Sequence, residues 1–303
     1  MGNWEGERSR AVARAVNDWF SREARRLPWR AEQPGEILPW AVLVSEFMLQ
    51  QTQVDRVLPR FLEWMARWPR PSDLAAEEPG EAVRAWGRLG YPRRALWLHR
   101  AATEIATEHD DTVPHDVDAL LALTGVGPYT ARAVAAFAYG ERHPVVDTNT
   151  RRVLARLVHG LAAAGMPRAT DLDDMALLLP EDAQQARTFN AGVMELGAVV
   201  CTARNPRCGQ CPVADWCEWR GAGYPENAPA KRPRQAAFEG SDRQVRGRIL
   251  ALLREAASPV TVDEALAAAA EGGVREATQP RRAYDSLIAD GLVVESGSTA
   301  RLP

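Results

Sequence analysis

All four cysteines of the sequence fall in one short segment, CTARNPRCGQCPVADWC, with six, two and five residues between them. Disulfides are disfavoured in a reducing compartment. Four thiolates in so short a loop can hold one tetrahedral zinc ion or one [4Fe–4S] cluster. Only one tight pair is present where zinc ribbons have two, so the spacing favours the cluster and leaves zinc open. The loop would also hold Arg204 and Arg207 rigidly, where they could face phosphates. The four cysteines are Cys201, Cys208, Cys211 and Cys217.

The acidic residue Glu46 lies in a strongly apolar segment, WAVLVSEFMLQQTQV. Burial disfavours the charged form of a carboxyl group, so we expect the pKa of Glu46 to rise and the group to remain available as a proton donor. An exposed glutamate on a helix surface is the alternative. The polar residues Gln50–Thr52 interrupt the apolar stretch. Because buried polar groups without partners are costly, we expect them to face a cleft or a ligand.

A second acid, Asp147, follows the apolar pair Val145–Val146 in HPVVDTNTRRVLAR and precedes a predicted helix. This position predicts an N-cap, in which the helix amides hold the carboxylate ionised and rigid. Such a carboxylate is suited to face a developing positive charge. A proton donor and a fixed carboxylate together are the groups that hydrolyse glycosidic bonds. A purely capping role stays open and is compatible with the catalytic one.

Two glycines in LTGVGPYTARAV, Gly125 and Gly127, lie between two predicted helices. Glycine permits positive φ and close backbone approach. Free amides at the start of the second helix can bind a phosphate. An ordinary tight turn is the alternative.

The composition is that of a globular protein, with 303 residues, 46% of them hydrophobic and 25% charged. No apolar run is long enough for a membrane span, and the start, MGNWEGERSRAVARAV, lacks the apolar core of a secretory signal. We therefore expect a cytoplasmic protein that does not bind a membrane. The net charge of −3 leaves nucleic-acid binding open. Lys231 is the single lysine among 37 basic residues, which argues against Schiff-base catalysis.

Apolar periodicity predicts an all-α fold for the first 220 residues, followed by a small mixed domain. The Pro-, Gly- and Ala-rich segment 221–241 predicts a linker. Residues 242–303 predict three helices and a hairpin, a winged-helix-like domain that either binds DNA or only packs. The predicted helices of the first part lie within 1–30, ending near Leu27, and at 39–68, 81–89, 92–109, 130–139, 147–159 and 181–200.

Five motifs in order, SEFMLQQTQV, LGYPRRALWLH, LTGVGPYTARAV, VVDTNTRRVLAR and the cysteine segment, resemble the iron–sulfur helix-hairpin-helix DNA glycosylases, and among them the MutY-type adenine DNA glycosylases. The similarity covers roughly residues 25–220. It implies a six-helix barrel with the helix-hairpin-helix at 31–143. It further implies a [4Fe–4S] cluster domain formed by 1–30 and 144–220, with DNA bound across the cleft between the two.

The resemblance also implies a role for each matching residue. Glu46 would protonate N7 of adenine. Asp147 would stabilise the oxocarbenium sugar or attack it transiently, supported by Tyr129 and Asn149. The implied substrate-binding residues are Trp29 and Arg30 in the base pocket, Gln51 and Thr52 in the gap left by the flipped base, Tyr91 as a wedge in the base stack, and Leu49, Gly125 and Gly127.

The implied activity is that of a monofunctional enzyme. Related endonuclease III-type lyases carry their Schiff-base lysine where this chain has Tyr129, so we expect no β-lyase activity. The enzyme would remove adenine mispaired with 8-oxoguanine or guanine in base excision repair, acting as a monomer on double-stranded DNA that contains a mispair or lesion. One alternative is a glycosylase of the same scaffold that removes thymine or uracil opposite guanine. Another is a non-catalytic iron–sulfur regulator that binds DNA.

Three departures from the family pattern bear on specificity. Phe189-Asn190 is followed by Ala191, where the family usually has Glu or Gln to read adenine. Residues 242–303 are too short for the domain with which longer members survey 8-oxoguanine. Pro92 replaces a frequent second aromatic after Tyr91. The base pocket therefore lacks one hydrogen-bonding group for adenine, and recognition of the lesion strand would depend on Gln51, Thr52 and the barrel, or on the winged-helix-like domain.

Overall fold

The computed structural model describes residues 4, 6–30, 38–227 and 237–303. Within these ranges helices are the main secondary structure, and the few strands lie at the C-terminus. In chain order the elements are α1 Glu7–Glu23, α2 Pro39–Leu49, α3 Val54–Arg67, α4 Pro71–Ala75, α5 Pro79–Trp86, α6 Arg93–Glu108, α7 Val117–Ala122, α8 Pro128–Tyr139, α9 Thr148–Leu157, α10 Thr170–Leu178, α11 Ala183–Val199, α12 Glu218–Gly221, α13 Asp242–Glu255, β1 Val260–Thr261, α14 Val262–Ala270, α15 Gln279–Ala289, β2 Val294–Ser296 and β3 Thr299–Arg301. Among the described helices, none is long and apolar enough to cross a membrane.

The chain divides into two compact units. The first comprises Met1–Leu43, His115–Ala122 and Val126–Arg232. In it α11 packs against α1 and α9, and α10 packs against α1 and α9. Apolar residues recur along one face of α1 and meet those of α11, so burial of this shared face holds the long helices together. The core includes Val12, Val16, Leu154, Phe189, Val193 and Leu196.

The second unit comprises Val44–Pro114, Leu123–Gly125 and Pro233–Pro303. Here α6 packs against α4 and α5, and α3 packs against α5. Three fully buried tryptophans form the centre. The ring of Trp64 meets the rings of Trp68 and Trp86 edge to face, with centroids 4.6 and 5.9 Å apart. Such aromatic contacts add to the stabilisation from burial alone.

The C-terminal part of the second unit has the predicted winged-helix-like fold. α13, α14 and α15 pack on one another, and three short antiparallel strands follow the order β1-β3-β2. The hairpin of β2 and β3 confirms the sequence prediction, whereas β1, only two residues long, gave no periodic signal. The domain packs on α5, where the amide of Gly80 donates to Pro303 O at 2.5 Å and Nε of Arg254 donates to Val83 O.

Two expectations for individual helices need correction. The continuous helix predicted at 39–68 is broken after Leu49, because the polar residues that follow leave the helical path and Gln51 adopts a positive φ of 55°. The N-terminal helix, predicted to end near Leu27, ends at Glu23. The predicted domain boundaries stay predictions. Much of the predicted linker, with Lys231, lies at 228–236, outside the described residues.

Candidate active site and metal centre

Asp147 caps α9, as its sequence position predicts. Its carboxylate accepts a hydrogen bond from the amide of Thr150 at 2.7 Å and a second from Nδ2 of Asn149 at 2.9 Å. The side chain is half-buried. Both oxygens therefore have a fixed donor, and the helix amides favour the negative charge. This arrangement provides a carboxylate with little freedom to rotate, held by two residues in the first turn of α9.

The chain segment that leads into Asp147 is fixed from α11. Asn190 is completely buried; its Oδ1 accepts from the amide of Val145 at 2.9 Å, and its Nδ2 donates to His143 O at 2.9 Å. Close approach of α9 to α11 is possible because Gly197 lacks a side chain: a Cβ there would lie 2.8 Å from Cβ and O of Asn149. The backbone on both sides of Asp147 is thus set by α11.

Arg152 extends this arrangement to the cysteine segment. Its Nη2 donates to Asn149 Oδ1 at 2.8 Å and to Gly197 O at 2.6 Å, while its Nε donates to Cys201 O at 2.7 Å. Burial lowers the pKa of this guanidinium from its usual value. A continuous set of hydrogen bonds thus joins Asp147, Asn149, Arg152 and the backbone at Cys201, which we call the Asp147 network.

The four cysteines line one cavity, together with Arg156 and Trp219. Nη1 of Arg156 donates to Sγ of Cys201 at 3.3 Å, and its guanidinium lies 4.5 Å from the ring centre of Trp219. Among the described residues, no three metal-binding side chains converge closely enough to hold a single ion. Four thiols around one space suit a [4Fe–4S] cluster, in which each cysteine binds its own iron.

Burial makes two of these thiols harder to ionise. Burial raises the pKa of the Cys211 thiol to about 12, and it raises the pKa of Cys217 as well. Metal ligands must be thiolates, and a bound cation supplies the charge that ionises them. When bound, the cluster would fix the cysteine segment. Arg204 and Arg207 are exposed on this segment.

Glu46 lies in α2 and is buried, with 7% of its surface exposed. Its neighbours in the helix, Ser45, Phe47 and Met48, are almost completely buried. The expected shelter of this carboxyl from water is therefore confirmed.

Gln51 and Tyr91 project from neighbouring turns and contact each other. The Tyr91 hydroxyl donates to Oε1 of Gln51 at 2.8 Å. Both residues adopt the left-handed backbone conformation, with φ of 55° and 49°. Both side chains are exposed, Tyr91 by 53%. We call Gln51 and Tyr91 the wedge pair; both side chains lie at the surface.

A buried arginine, Arg94, holds the two turns that carry the wedge pair. It donates to Phe47 O at 2.8 Å and Gln50 O at 2.5 Å on one side, and to Gly90 O at 3.2 Å on the other. It also donates to Oγ1 of Thr52. Burial lowers the pKa of Arg94 to about 10, which leaves it charged at neutral pH. One guanidinium thus satisfies the carbonyl groups that the broken helix leaves free.

The hairpin between α7 and α8 uses its two glycines differently. Gly125 has a φ of 80°, and a Cβ there would lie 2.8 Å from Cβ of Trp97 and 3.0 Å from the Phe47 ring. Gly127 has an ordinary extended backbone and nothing within 4 Å of its Cβ position. Glu104 fixes the turn by accepting from the amide and hydroxyl of Thr124 at 2.8 and 2.6 Å. The start of α8 is thus a rigid, open turn.

The remaining candidates have mixed surroundings. Trp29 is buried. Arg30, which was predicted to line the base pocket, forms an ion pair with the buried Glu195, to which it donates at 2.8 Å. Tyr129 packs on Ala133, Ala136 and Val145. Leu49 is the half-buried last residue of α2.

Sequence reasoning missed three charged residues that position these groups, Arg94, Arg152 and Glu195. Glu195 is completely buried and accepts two hydrogen bonds from the side chain of Arg25 and one from Arg30. Arg94, Arg152 and Glu195 each lie in a helix that also carries buried apolar residues, and this position was a usable signal of a buried charge. A buried charge, however, is defined by partners distant in sequence, and periodicity does not reveal these.

Comparison with known families defines the class. Residues 44–164 match the family model of the HhH-GPD superfamily base excision DNA repair proteins. Residues 201–217, which hold the four cysteines, match the iron–sulfur binding domain of endonuclease III. The structure of an endonuclease III–DNA complex superposes with a TM-score of 0.59 at 20% identity, covering 74% of this chain and 99% of that one, so the fold is shared. The predicted fold class and the [4Fe–4S] cofactor are confirmed.

Sequence relatives narrow this class. The chain is 53% identical over 279 residues to an adenine DNA glycosylase of Mycobacterium tuberculosis, covering 92% of this chain and 88% of the relative. It is 34% identical over 206 residues to a thymine/uracil-DNA glycosylase of Pyrobaculum aerophilum, covering 66% and 87%. The chain therefore belongs to the family of MutY-type adenine DNA glycosylases, and it is a DNA glycosylase of base excision repair.

Proposed function

We propose that this chain is a monofunctional glycosylase that removes adenine mispaired with 8-oxoguanine or guanine. The 53% identity to an adenine DNA glycosylase over nearly the whole chain carries this proposal. The chemistry that the reaction needs is available in Glu46, a sheltered acid, and Asp147, a carboxylate fixed by two donors. The enzyme would act as a monomer on double-stranded DNA in the cytoplasm, at the nucleoid.

In the proposed reaction, the mispaired adenine is first extruded from the duplex, which costs a few kcal/mol. Glu46 donates its proton to N7 as the glycosidic bond breaks and both bonding electrons leave with the base. Asp147 stabilises the positive charge that develops on the sugar, with Asn149 and Tyr129 in support. Water adds to C1′, and its proton replaces the one that Glu46 gave up. The products are free adenine and an abasic site.

The wedge pair and its neighbours would hold the opened duplex. Gln51 and Thr52 would occupy the gap left by the flipped base, and Tyr91 would insert into the stack. The open turn at Gly125 and Gly127 would approach a backbone phosphate. Leu49, Trp29 and Arg30 would contact the substrate nearer the extruded base.

We further propose that the enzyme lacks β-lyase activity. A lyase needs an amine that forms an imine with C1′. Tyr129 stands where related lyases carry lysine, and the single lysine of the chain is Lys231. We expect borohydride to trap no covalent protein–DNA adduct during turnover, and a strong trapped band would contradict this.

One second candidate substrate has specific support. Ala191, on α11, provides no hydrogen-bonding side chain for adenine, and one relative is a thymine/uracil-DNA glycosylase. A panel of duplexes with A:8-oxoguanine, A:G, T:G and U:G distinguishes the two. We expect release of adenine only; release of thymine or uracil only would refute the adenine proposal.

A variant separates catalysis from binding in the same panel. We expect Glu46→Gln to abolish base release while duplex binding survives, because Gln keeps the size of the side chain and loses its proton. Unchanged turnover would remove Glu46 from the mechanism. Tight binding by the wild-type protein without release of any base would instead favour a non-catalytic DNA-binding regulator.

A further inference from the structure

The second unit contains an arginine-lined cleft for which the proposed catalytic reaction gives no role. It lies where the C-terminal end of α13 approaches α3 and the turn after α5. Three of its arginines belong to the barrel, and the fourth belongs to the C-terminal domain. We call this the arginine cleft; it is lined by Arg56, Arg60, Arg88 and Arg254, with Glu255, Ala251, Leu89 and Gly87.

The positive charge in the arginine cleft is poorly balanced by the described residues. Arg60 pairs with Glu63 at 2.6 Å, at an exposed position. Arg56 donates to the carbonyl of Arg88, and Nε of Arg254 donates to Val83 O. These partners are backbone carbonyls, which carry no full negative charge. Glu255 contributes one exposed carboxylate to the lining.

The guanidinium groups of the cleft repel one another, and this repulsion affects the pKa of Arg254. Burial is the largest cause, and together with the nearby charges of Arg88 and Arg60 it lowers the pKa of Arg254 to about 10. Repulsion between like charges around one cleft is unfavourable, and a bound anion reduces it. Guanidinium groups match phosphate oxygens in geometry as well as in charge. The cleft is therefore suited to a phosphate group.

The C-terminal domain contributes to this cleft through α13, while the arginines on its α15 are neutralised. Arg281 pairs with Asp285 on the same helix at 2.8 Å. Arg282 pairs with Asp242 and Glu276, at 3.1 and 3.0 Å. The end of α15 is also occupied, because Asp290 accepts from Arg93 and Arg246. Binding of DNA along α15 would have to break these pairs, whereas Arg254 needs no such release.

The arginine cleft continues from the turns that carry the wedge pair. Arg88 is three residues from Tyr91, a chain length of at most about 11 Å. Arg56 is five residues from Gln51, in the first turn of α3. Phosphates of one strand follow each other every 3.4 Å along the duplex axis. A duplex held by the wedge pair would therefore bring backbone phosphates within reach of the cleft.

We propose that the arginine cleft binds a backbone phosphate of the DNA, within a few nucleotides of the mispair, and that the C-terminal domain serves to complete it. This inference rests on the proposed function for the position of the duplex. It assigns to the short C-terminal domain a role in binding the DNA backbone instead of recognising bases.

The first test measures binding to an unmodified duplex without a mispair, so that it does not depend on which base is removed. Each lost phosphate contact lowers the slope of log K against log salt by about 0.9. We expect Arg88→Gln to lower the slope by about this amount and to weaken binding several-fold at low salt. Arg281→Gln, an exposed arginine of the same unit outside the cleft, is the control and should leave the slope unchanged. An unaltered slope for Arg88→Gln would overturn the proposal.

The second test locates the phosphate. In a Glu46→Gln background, which prevents base release, single methylphosphonate linkages neutralise one phosphate at a time around an A:8-oxoguanine pair. We expect one or two linkages to weaken binding of the Arg88 form and to have no effect after Arg88→Gln, because both changes remove the same contact. Independent effects at every position would refute the assigned contact.

A third measurement distinguishes DNA from a small phosphate compound. Millimolar pyrophosphate, titrated without DNA, should show no binding that depends on Arg88. Binding of pyrophosphate that Arg88→Gln abolishes, together with an unchanged salt slope on DNA, would show a site for a free phosphate compound instead. Failure of the proposed adenine activity would leave the salt-slope experiment intact, so the two outcomes are distinguishable.

Discussion

The Asp147 network and the wedge pair are fixed in opposite ways. Asp147 is half-buried, and its side-chain oxygens accept from Thr150 and Asn149, which is itself held by Arg152. The wedge side chains are exposed and touch each other, while their backbones are held from below by Arg94. In one region the side chain is fixed; in the other the turn beneath it is fixed.

This difference matches what each group is proposed to do. A carboxylate that stabilises charge must keep its position within a fraction of an ångström, because its effect depends on preorganisation. A side chain that fills a gap in DNA must reach outward and adapt to the bases it meets. The left-handed conformation of Gln51 and Tyr91 costs of order 1–3 kcal/mol at each residue. The hydrogen bonds of Arg94 offset that cost.

The largest expected effect comes from removing the charge of the Asp147 network. Asn is as good an N-cap as Asp and keeps the bond from Thr150, but it loses the one from Asn149, so Asp147→Asn should lower the melting temperature only slightly. We expect single-turnover base release to fall about 1000-fold, because a fixed charge facing the sugar is lost. A release rate within tenfold of the wild type would restrict Asp147 to capping.

The next largest effect tests the support of the wedge pair. Arg94→Met keeps the length of the side chain but removes a buried donor from four acceptors, at a cost of about 1–3 kcal/mol for each that stays unpaired. Gly90 O and Gln50 O keep a second donor, in Trp86 and Thr52. We expect the preference for mispaired over matched duplex to fall about tenfold, because the wedge pair loses its fixed turns. Binding titrations with both duplexes measure this.

Loss of stability alone must be separated from this effect. Leu74→Ala removes a buried side chain from α4 in the same unit and costs about 2–5 kcal/mol. We expect it to lower the melting temperature and to retain the preference for the mispair. An equal loss of preference in Leu74→Ala would contradict a specific role for Arg94.

The sequence identified the residues that could take part in the reaction better than it identified the residues that hold them in place. The cap at Asp147 and the burial of Glu46 could be predicted because each depends on nearby residues. The break after Leu49 could not, because Gln50–Thr52 leave the helix only where Arg94 supplies donors to the freed carbonyls. A contact between residues more than 40 positions apart has no signature in local periodicity.

The C-terminal domain shows the same limit. Its three helices and the β2–β3 hairpin followed from pattern, since each is a local structure. The sequence left open whether this domain binds DNA or only packs. That question depends on charge pairing in three dimensions, as in the pairing of Arg282 with Asp242, and on the approach of Arg254 to arginines of the barrel.

A smaller effect tests whether α11 positions the Asp147 network. In Gly197→Ala the new Cβ would lie 2.8 Å from Asn149, so α9 must shift, at about 1–3 kcal/mol. Gly192→Ala is a matched control on the same helix, because its Cβ would meet a methyl group of Val16 instead. We expect both variants to melt earlier and only Gly197→Ala to release base about tenfold more slowly. Equal release rates would show that the position of Asn149 is unimportant.

The smallest effect concerns the acid range of stability and the buried Glu195. Burial alone would raise the pKa of Glu195, but hydrogen bonds from Arg25 and the charge of Arg30 outweigh it and hold the pKa below its usual value. A carboxyl with a depressed folded-state pKa stabilises the fold above its unfolded pKa of about 4.3, and this contribution disappears as pH falls through the folded value. We expect the stability difference between the wild type and Glu195→Gln, measured by urea unfolding, to be largest near neutrality and to narrow below about pH 4.3. A difference that stays constant down to the lowest pH would mean that the charge of Glu195 contributes nothing to the support of α11.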